Sequence, residues 1–230
     1  MTILSAIKRV FSTLFFTFFP KICVQCGKTL SEQESILCSD CNRLSKFSNY
    51  SNEEYFAPLM PFAEKIFVYK KYTYVSNIVK YFKFNGFIQV GKKSAIQYAK
   101  RLAKESWSKE IDYVVPVPLH KKALRFRGFN QTDILAKSIA KELGAKVSND
   151  NLLRLHHNTP QHYLSKKKRY TNLKDNFSLK DPTLFRNCNV LIVDDVITTC
   201  ATMKACCIAM KKAENIKIYV SAFSSNRNNF

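Results

Sequence analysis

The chain has 230 residues, 46% of them hydrophobic, so it can bury a sizeable core; it is neither a disordered tail nor a pair of large domains. Its 37 Lys and Arg against 17 Asp and Glu give a formal charge of +20, which favours anionic partners such as nucleotides, nucleic acid or anionic lipid. Genome base bias produces the same Lys-rich composition, so charge alone assigns no function.

Residues 1–20 carry an apolar, aromatic stretch, Val10–Phe19, behind Lys8 and Arg9. It is far shorter than the ~20 residues that span a bilayer. Ser12, Thr13 and Thr17 interrupt it, and Phe18-Phe19-Pro20-Lys21 offers no small-residue cleavage site. The segment reads as an amphipathic helix packed on the body and ended by Pro20, with membrane-surface attachment as the alternative. No transmembrane segment is expected. A cytoplasmic, reducing location follows, in which disulfides are disfavoured.

Residues 21–45 form a cysteine-framed module. Cys23-x2-Cys26 and Cys38-x2-Cys41 are two knuckles, and each can bring two thiolates to one tetrahedral Zn2+. Gly27 supplies the tight turn that the first knuckle needs. About twenty-five residues cannot bury enough apolar surface to fold alone, so a metal provides the missing free energy. The expectation is a small zinc-ribbon-like module with a closed, structural Zn2+ site; free thiols or two redox pairs are the alternative. Residues 46–65, polar and aromatic with Pro58 and Pro61, read as a linker.

From residue 66 to 230, short apolar runs alternate with helical periodicity. Tyr113–Pro118, Val190–Val193 and Ile216–Phe223 read as strands covered on both faces. Gln131–Leu143 places Ile134, Leu135, Ile139 and Leu143 on one helical face, with Gly144 as its stop. Thr202–Lys212 repeats the pattern with Met203, Cys206, Cys207 and Met210. Strand–helix–strand alternation of this kind predicts an α/β fold with a mostly parallel sheet.

The densest chemistry lies after the strand at Val190. Asp194 and Asp195 follow it at the edge where ligand crevices of open α/β sheets form. Adjacent carboxylates repel each other there unless they bind something; sugar hydroxyls together with Mg2+ satisfy both. Thr198, Thr199 and Thr202 surround the start of the next helix, where hydroxyls and unpaired N–H groups face one anion. Together these residues read as a ribose 5-phosphate pocket. The plain alternative is a strand–turn–helix in which Thr198 or Thr199 caps the helix.

The loop Val193-Asp194-Asp195-Val196-Ile197-Thr198-Thr199 resembles the signature with which phosphoribosyltransferases hold phosphoribosyl pyrophosphate (PRPP). Val115-Pro116-Val117-Pro118-Leu119-His120, Arg125-Phe126-Arg127-Gly128-Phe129-Asn130-Gln131, Thr159-Pro160-Gln161, Leu164-Ser165, and Arg169-x-x-Asn172-Leu173 with Phe177 narrow the likeness. With the four-cysteine opening, the chain is similar to the ComF/GntX group of competence-associated phosphoribosyltransferase-like proteins. The resemblance implies a type I phosphoribosyltransferase fold and Mg-PRPP or a nucleotide-like ligand. It places Asp194 and Asp195 as catalytic carboxylates on the ribose hydroxyls and Thr198, Thr199, Cys200, Ala201 and Thr202 around the 5-phosphate. Pro118, Leu119 and His120 fall near the pyrophosphate, in a loop that two prolines stiffen and whose amides can meet an anion. The chain is then a transferase acting on PRPP, or a binding module working with single-stranded DNA and a helicase-like competence protein.

One departure stands in the loop: Cys200 occupies the place of the usual glycine, so its side chain is expected to crowd the phosphate or strain the turn. Arg125, Arg127, Asn130 and Gln131 are candidate contacts to pyrophosphate or nucleic acid, with Phe126, Phe129 and Tyr170 available for base stacking. Lys166–Arg169 is a second basic cluster or a solvated face. His156, His157 and His162 have no ligand-like spacing.

Overall fold

A computed structural model describes residues 21–45, 56–71, 75–81, 88–155 and 176–226. The segment read as an amphipathic helix (1–20), the Phe82–Phe87 stretch, Thr159–Gln161, Leu164-Ser165, the Lys166–Arg169 cluster, Tyr170, Asn172-Leu173 and His156, His157 and His162 lie outside the described residues.

The elements run α1 (Ser39–Ser45), β1 (Lys65–Lys71), α2 (Ser76–Tyr81), α3 (Ile88–Leu102), β2 (Tyr113–Pro116), α4 (Lys121–Arg127), α5 (Gln131–Leu143), β3 (Lys146–Val147), β4 (Leu152–Arg154), β5 (Phe177–Leu179), β6 (Asn189–Ile197), α6 (Ala201–Met210) and β7 (Lys217–Ser225). Five strands form one parallel sheet in the order β1-β7-β6-β2-β3. The remaining two, β4 and β5, pair antiparallel as a separate ribbon. The mostly parallel α/β sheet expected from the sequence is the observed fold.

The strands are apolar on both sides because helices cover both faces. Leu191, Val193 and Phe223 pack with α3 and α5 through Tyr98, Leu102, Leu135 and Ile139, all fully buried. Val190, Ile192, Ile218 and Val220 pack on the other face with α6 through Met203, Cys206 and Met210. Phe56 and Met60, from the stretch whose composition reads as a linker, are fully buried in this second layer. Helix α5 has the bounds that its periodicity predicts, and Gly144 ends it with a left-handed φ of 71°.

Strand β6 departs from the expectation. Its pairing with β7 does not stop at Val193 but continues through Asp194 opposite Ala222 and Val196 opposite Ser224. The carboxylates therefore sit within the C-terminal part of a strand. Strand alternation then sends their side chains to opposite faces of the sheet.

Candidate functional site

Two clusters of ionisable residues are built into this frame. The first is the cysteine module. The Sγ atoms of Cys23, Cys26, Cys38 and Cys41 all lie within 4.8 Å of one another, and Cys26 Sγ is 3.7 Å from Cys38 Sγ. A tetrahedron with bonds of about 2.3 Å has sulfur–sulfur edges of roughly 3.8 Å, so the set has the geometry of a metal-binding site. The first knuckle closes through Gly27 N–H donating to Cys23 O (2.8 Å), with Gly27 at φ 77°. Burial pushes the Cys23 thiol up, but the backbone N–H groups of Cys38, Cys26 and Gln25 outweigh it and bring it down to about 7. Burial and the neighbouring thiols push Cys41 the other way, up.

The module is fastened to the α/β body. Asn77 Nδ2 on α2 donates to Val24 O (3.1 Å) and Gln25 O (3.3 Å), and Gln25 Oε1 accepts from Asn77 N (3.3 Å). Cys23, Leu30, Ile36, Leu37 and Cys38 are buried in the same core layer as α3 and α5.

The second cluster lines a cavity of about 230 Å3 at the C-terminal edge of the parallel sheet. Three segments of the chain bring in residues that the sequence singles out. The segment after β2 contributes Pro118 and Leu119, α4 and α5 contribute Arg127 and Gln131, and β6–α6 contributes Asp194, Asp195 and Thr202. The loop after β2 is held down from α5: Thr132 Oγ1 (2.8 Å) and Asn130 Nδ2 (3.2 Å) both donate to the Val117 carbonyl. Asn130 is buried in that brace, and Val117 and Thr132 join the lining through it.

Asp195 lies on the α5 side, where its Oδ2 accepts from Gln131 Nε2 (2.9 Å), and Gln131 Oε1 in turn accepts from Arg127 Nη1 (2.5 Å). Asp194 lies on the α6 side. Burial first, and the neighbouring Asp195 carboxylate second, push its carboxyl well above the usual carboxylate range, while the Arg154 charge opposes them. Two carboxylates and two guanidinium groups thus share one small opening.

Other expected residues stand apart from the cavity lining. His120 caps α4, its Nδ1 accepting from Lys122 N (3.2 Å). Arg125, Thr198 and Thr199 are exposed. Ala201 is half-buried at the start of α6. Cys200 is buried in the core layer beneath α6 and is not part of the cavity lining. Its backbone adopts φ 63°, the left-handed region that favours glycine, and its carbonyl accepts from Lys204 N (2.8 Å). Of the two effects expected at this position, the strained turn is the one observed; it costs about 1–2 kcal/mol.

Arg154 is, with Thr132, a cavity residue that sequence reading misses. It sits in Leu152-Leu153-Arg154-Leu155 with no motif around it, and only the fold of the β4–β5 ribbon brings it to the opening.

Sheet topology and the carboxylate–threonine loop at its C-terminal edge make the domain phosphoribosyltransferase-like. No family model matches the chain. A competence protein F of Haemophilus influenzae is 29% identical over 223 residues, covering 88% of this chain and 96% of that protein. The DNA utilization protein YhgH of Salmonella typhi is 38% identical over 92 residues, which cover 40% of this chain and 40% of that protein. Among solved structures, a glutamine phosphoribosylpyrophosphate amidotransferase of B. subtilis aligns with a TM-score of 0.44 at 19% identity, covering 63% of this chain and 30% of that one. Over most of its length the chain is thus similar to a competence protein F, and its fold is of the phosphoribosyltransferase type. Among the described residues, no helix is long and apolar enough to cross a membrane.

Proposed function

We propose that the cavity binds Mg-PRPP or a related phosphoribosyl ligand, and that the protein serves DNA uptake or utilization from the cytoplasm; its relatives are named for competence and for DNA utilization. The convergence of Asp194, Asp195 and Thr202 with Arg127 and Arg154 on one opening carries the reading. Carboxylate oxygens are hard ligands suited to the ribose diol and to Mg2+, and the α6 N-terminus with Thr202 suits a terminal phosphate. Bound Mg2+ would supply charge neutralisation of the pyrophosphate. In transfer, a nitrogen nucleophile bonds to the anomeric carbon while the bond to pyrophosphate breaks. The ribose becomes cationic, and the carboxylates beneath the diol stabilise it. Gln131 holds Asp195 in place for that role, and the loop braced by Asn130 and Thr132 presents Pro118 and Leu119 to the departing group. In the cysteine module, Cys23, Cys26, Cys38 and Cys41 would hold structural Zn2+, leaving no open position for chemistry.

Calorimetric titration with Mg-PRPP tests the pocket. Binding by the intact protein that disappears in Asp194→Asn/Asp195→Asn is the expected result, and no binding by the intact protein overturns the proposal.

A second reading is favoured by one observation. Phe126 is 96% exposed on α4, beside the exposed cations Lys121, Lys122 and Arg125. An aromatic ring standing out of a basic helix can stack on an unpaired base while the cations meet its backbone. On this reading the fold is a binding module for single-stranded DNA and a helicase-like competence partner. Salt separates the two readings: DNA affinity that falls steeply between low and physiological salt, and that Phe126→Ala lowers, supports the module.

A further inference from the structure

Arg154 lies on the β4–β5 ribbon, which packs against α6. Its guanidinium carbon sits 5.5 Å from the centroid of the Phe177 ring, its partner across the ribbon. Stacking of this kind fixes the plane of the guanidinium and leaves its edge available. The Nε atom is enclosed and makes no hydrogen bond among the described residues. A buried charged donor without an acceptor is costly, so a site that keeps one is a place where an acceptor arrives. Arg127, in contrast, is already committed to Gln131 and through it to Asp195, on the α5 side of β6. Arg154 opposes the proton affinity of both Asp194 and Cys206, which sets its charge on the α6 side, together with Thr202.

We infer that Arg154 is the counter-charge for the terminal 5-phosphate of the phosphoribosyl ligand, acting with Thr202, while Arg127 faces the pyrophosphate end. The assignment rests on the proposed ligand and goes beyond it by giving the 5-phosphate a cation from the β4–β5 ribbon, outside the loops that the sequence motifs mark. A phosphate suits the fork of Arg154 because its oxygens accept two parallel N–H bonds at once.

Separate calorimetric titrations of ribose 5-phosphate and Mg-pyrophosphate test the division in the wild type, Arg154→Gln, Arg154→Lys and Arg127→Gln. Arg154→Gln weakens ribose 5-phosphate on the order of ten- to a hundredfold and leaves Mg-pyrophosphate within roughly twofold. Arg127→Gln shows the reverse pattern. Arg154→Lys, which keeps the charge without the fork, loses part of the ribose 5-phosphate affinity. If Arg154→Gln melts early, Arg154→Met, which keeps the apolar stem and removes the charge, decides, and its unchanged ribose 5-phosphate affinity overturns the assignment. Equal losses for both ligands in Arg154→Gln overturn it as well. Wild-type protein that binds no Mg-PRPP removes the ligand and the assignment together, whereas normal wild-type binding with an indifferent Arg154→Gln removes the assignment alone.

Discussion

The cysteine module and the sheet-edge cavity both crowd ionisable side chains, and they resolve the crowding in opposite ways. Four like groups converge in the module within 4.8 Å, a set that one cation satisfies completely. In the cavity, unlike groups meet and stay partly unsatisfied: Asp194 and Asp195 are split between two faces of β6, Arg127 is held by Gln131, and Arg154 keeps an enclosed Nε with no partner among the described residues. A closed set of ligands builds structure, while an open set of mixed charge builds a binding site. The two regions should therefore fail differently when perturbed.

The largest effect is expected from the module. Zinc-finger peptides derive about 10–16 kcal/mol from their metal; loss of even a third of that, roughly 4 kcal/mol, lowers the melting temperature of a domain this size by about 8–16 °C. Because Cys23 and Cys38 are buried in the same core layer as α3 and α5, the loss should reach the whole fold. Cys38→Ser or a strong chelator is the perturbation, with metal content by mass spectrometry and melting by circular dichroism as readouts. One zinc per chain retained by Cys38→Ser, with unchanged melting, would break the comparison at its structural end.

Asp194→Asn/Asp195→Asn should do the converse. Two charge-assisted contacts of about 1.5–3 kcal/mol each correspond to a loss of roughly 10²- to 10⁴-fold in Mg-PRPP affinity, with the zinc content unchanged. Loss of metal from this variant would show that the two regions are not independent.

Much of this contrast was legible beforehand. The doubled Cys-x2-Cys spacing marks the module, because a shared metal supplies the free energy that so short a segment lacks. Val190–Val193, Asp194, Asp195 and Thr202 mark the cavity edge, since an apolar run followed by carboxylates and hydroxyls has little other purpose. What escaped depends on tertiary placement. The run of β6 through Asp194 to Ile197 is set by pairing with Ala222, Ser224 and Ser225 on β7, which overrides the poor strand preference of aspartate. Asn130 carries the same motif as Arg127 and Gln131, yet its amide braces Val117 where Arg127 and Gln131 line the cavity. Arg154 has no local signature at all. Phe56 and Met60 sit among prolines and polar residues, and only the packing on the α6 layer reveals them as core.

A smaller effect separates the two carboxylates. Burial and Asp195 raise the pKa of Asp194 above its unfolded value of about 3.9, so the folded chain holds that proton more tightly. The stability this contributes is full below the unfolded pKa and is lost as pH rises through the folded one. Asp194→Asn removes the decline, and the variant should gain on the wild type steadily from pH 4 upward in urea unfolding without ligand. A gap that narrows as pH rises would contradict the enclosed position of this carboxyl.

The smallest effect is expected at Cys200, where the structure replaces one concern with another. The residue is buried in the core and is not part of the cavity lining, so removing its sulfur should not open the phosphate site. Cys200→Gly relieves a left-handed backbone worth about 1–2 kcal/mol but gives up a buried side chain and adds freedom to the unfolded chain, each about 1 kcal/mol. These terms oppose each other, so stability should stay within about 1 kcal/mol and Mg-PRPP affinity within roughly threefold. Cys200→Ala, which keeps the strain and loses only the sulfur, isolates the burial term and should be the less stable of the two. Much tighter PRPP binding by the glycine variant would mean that the Cβ reaches the ligand after all, and that the loop moves when the cavity fills.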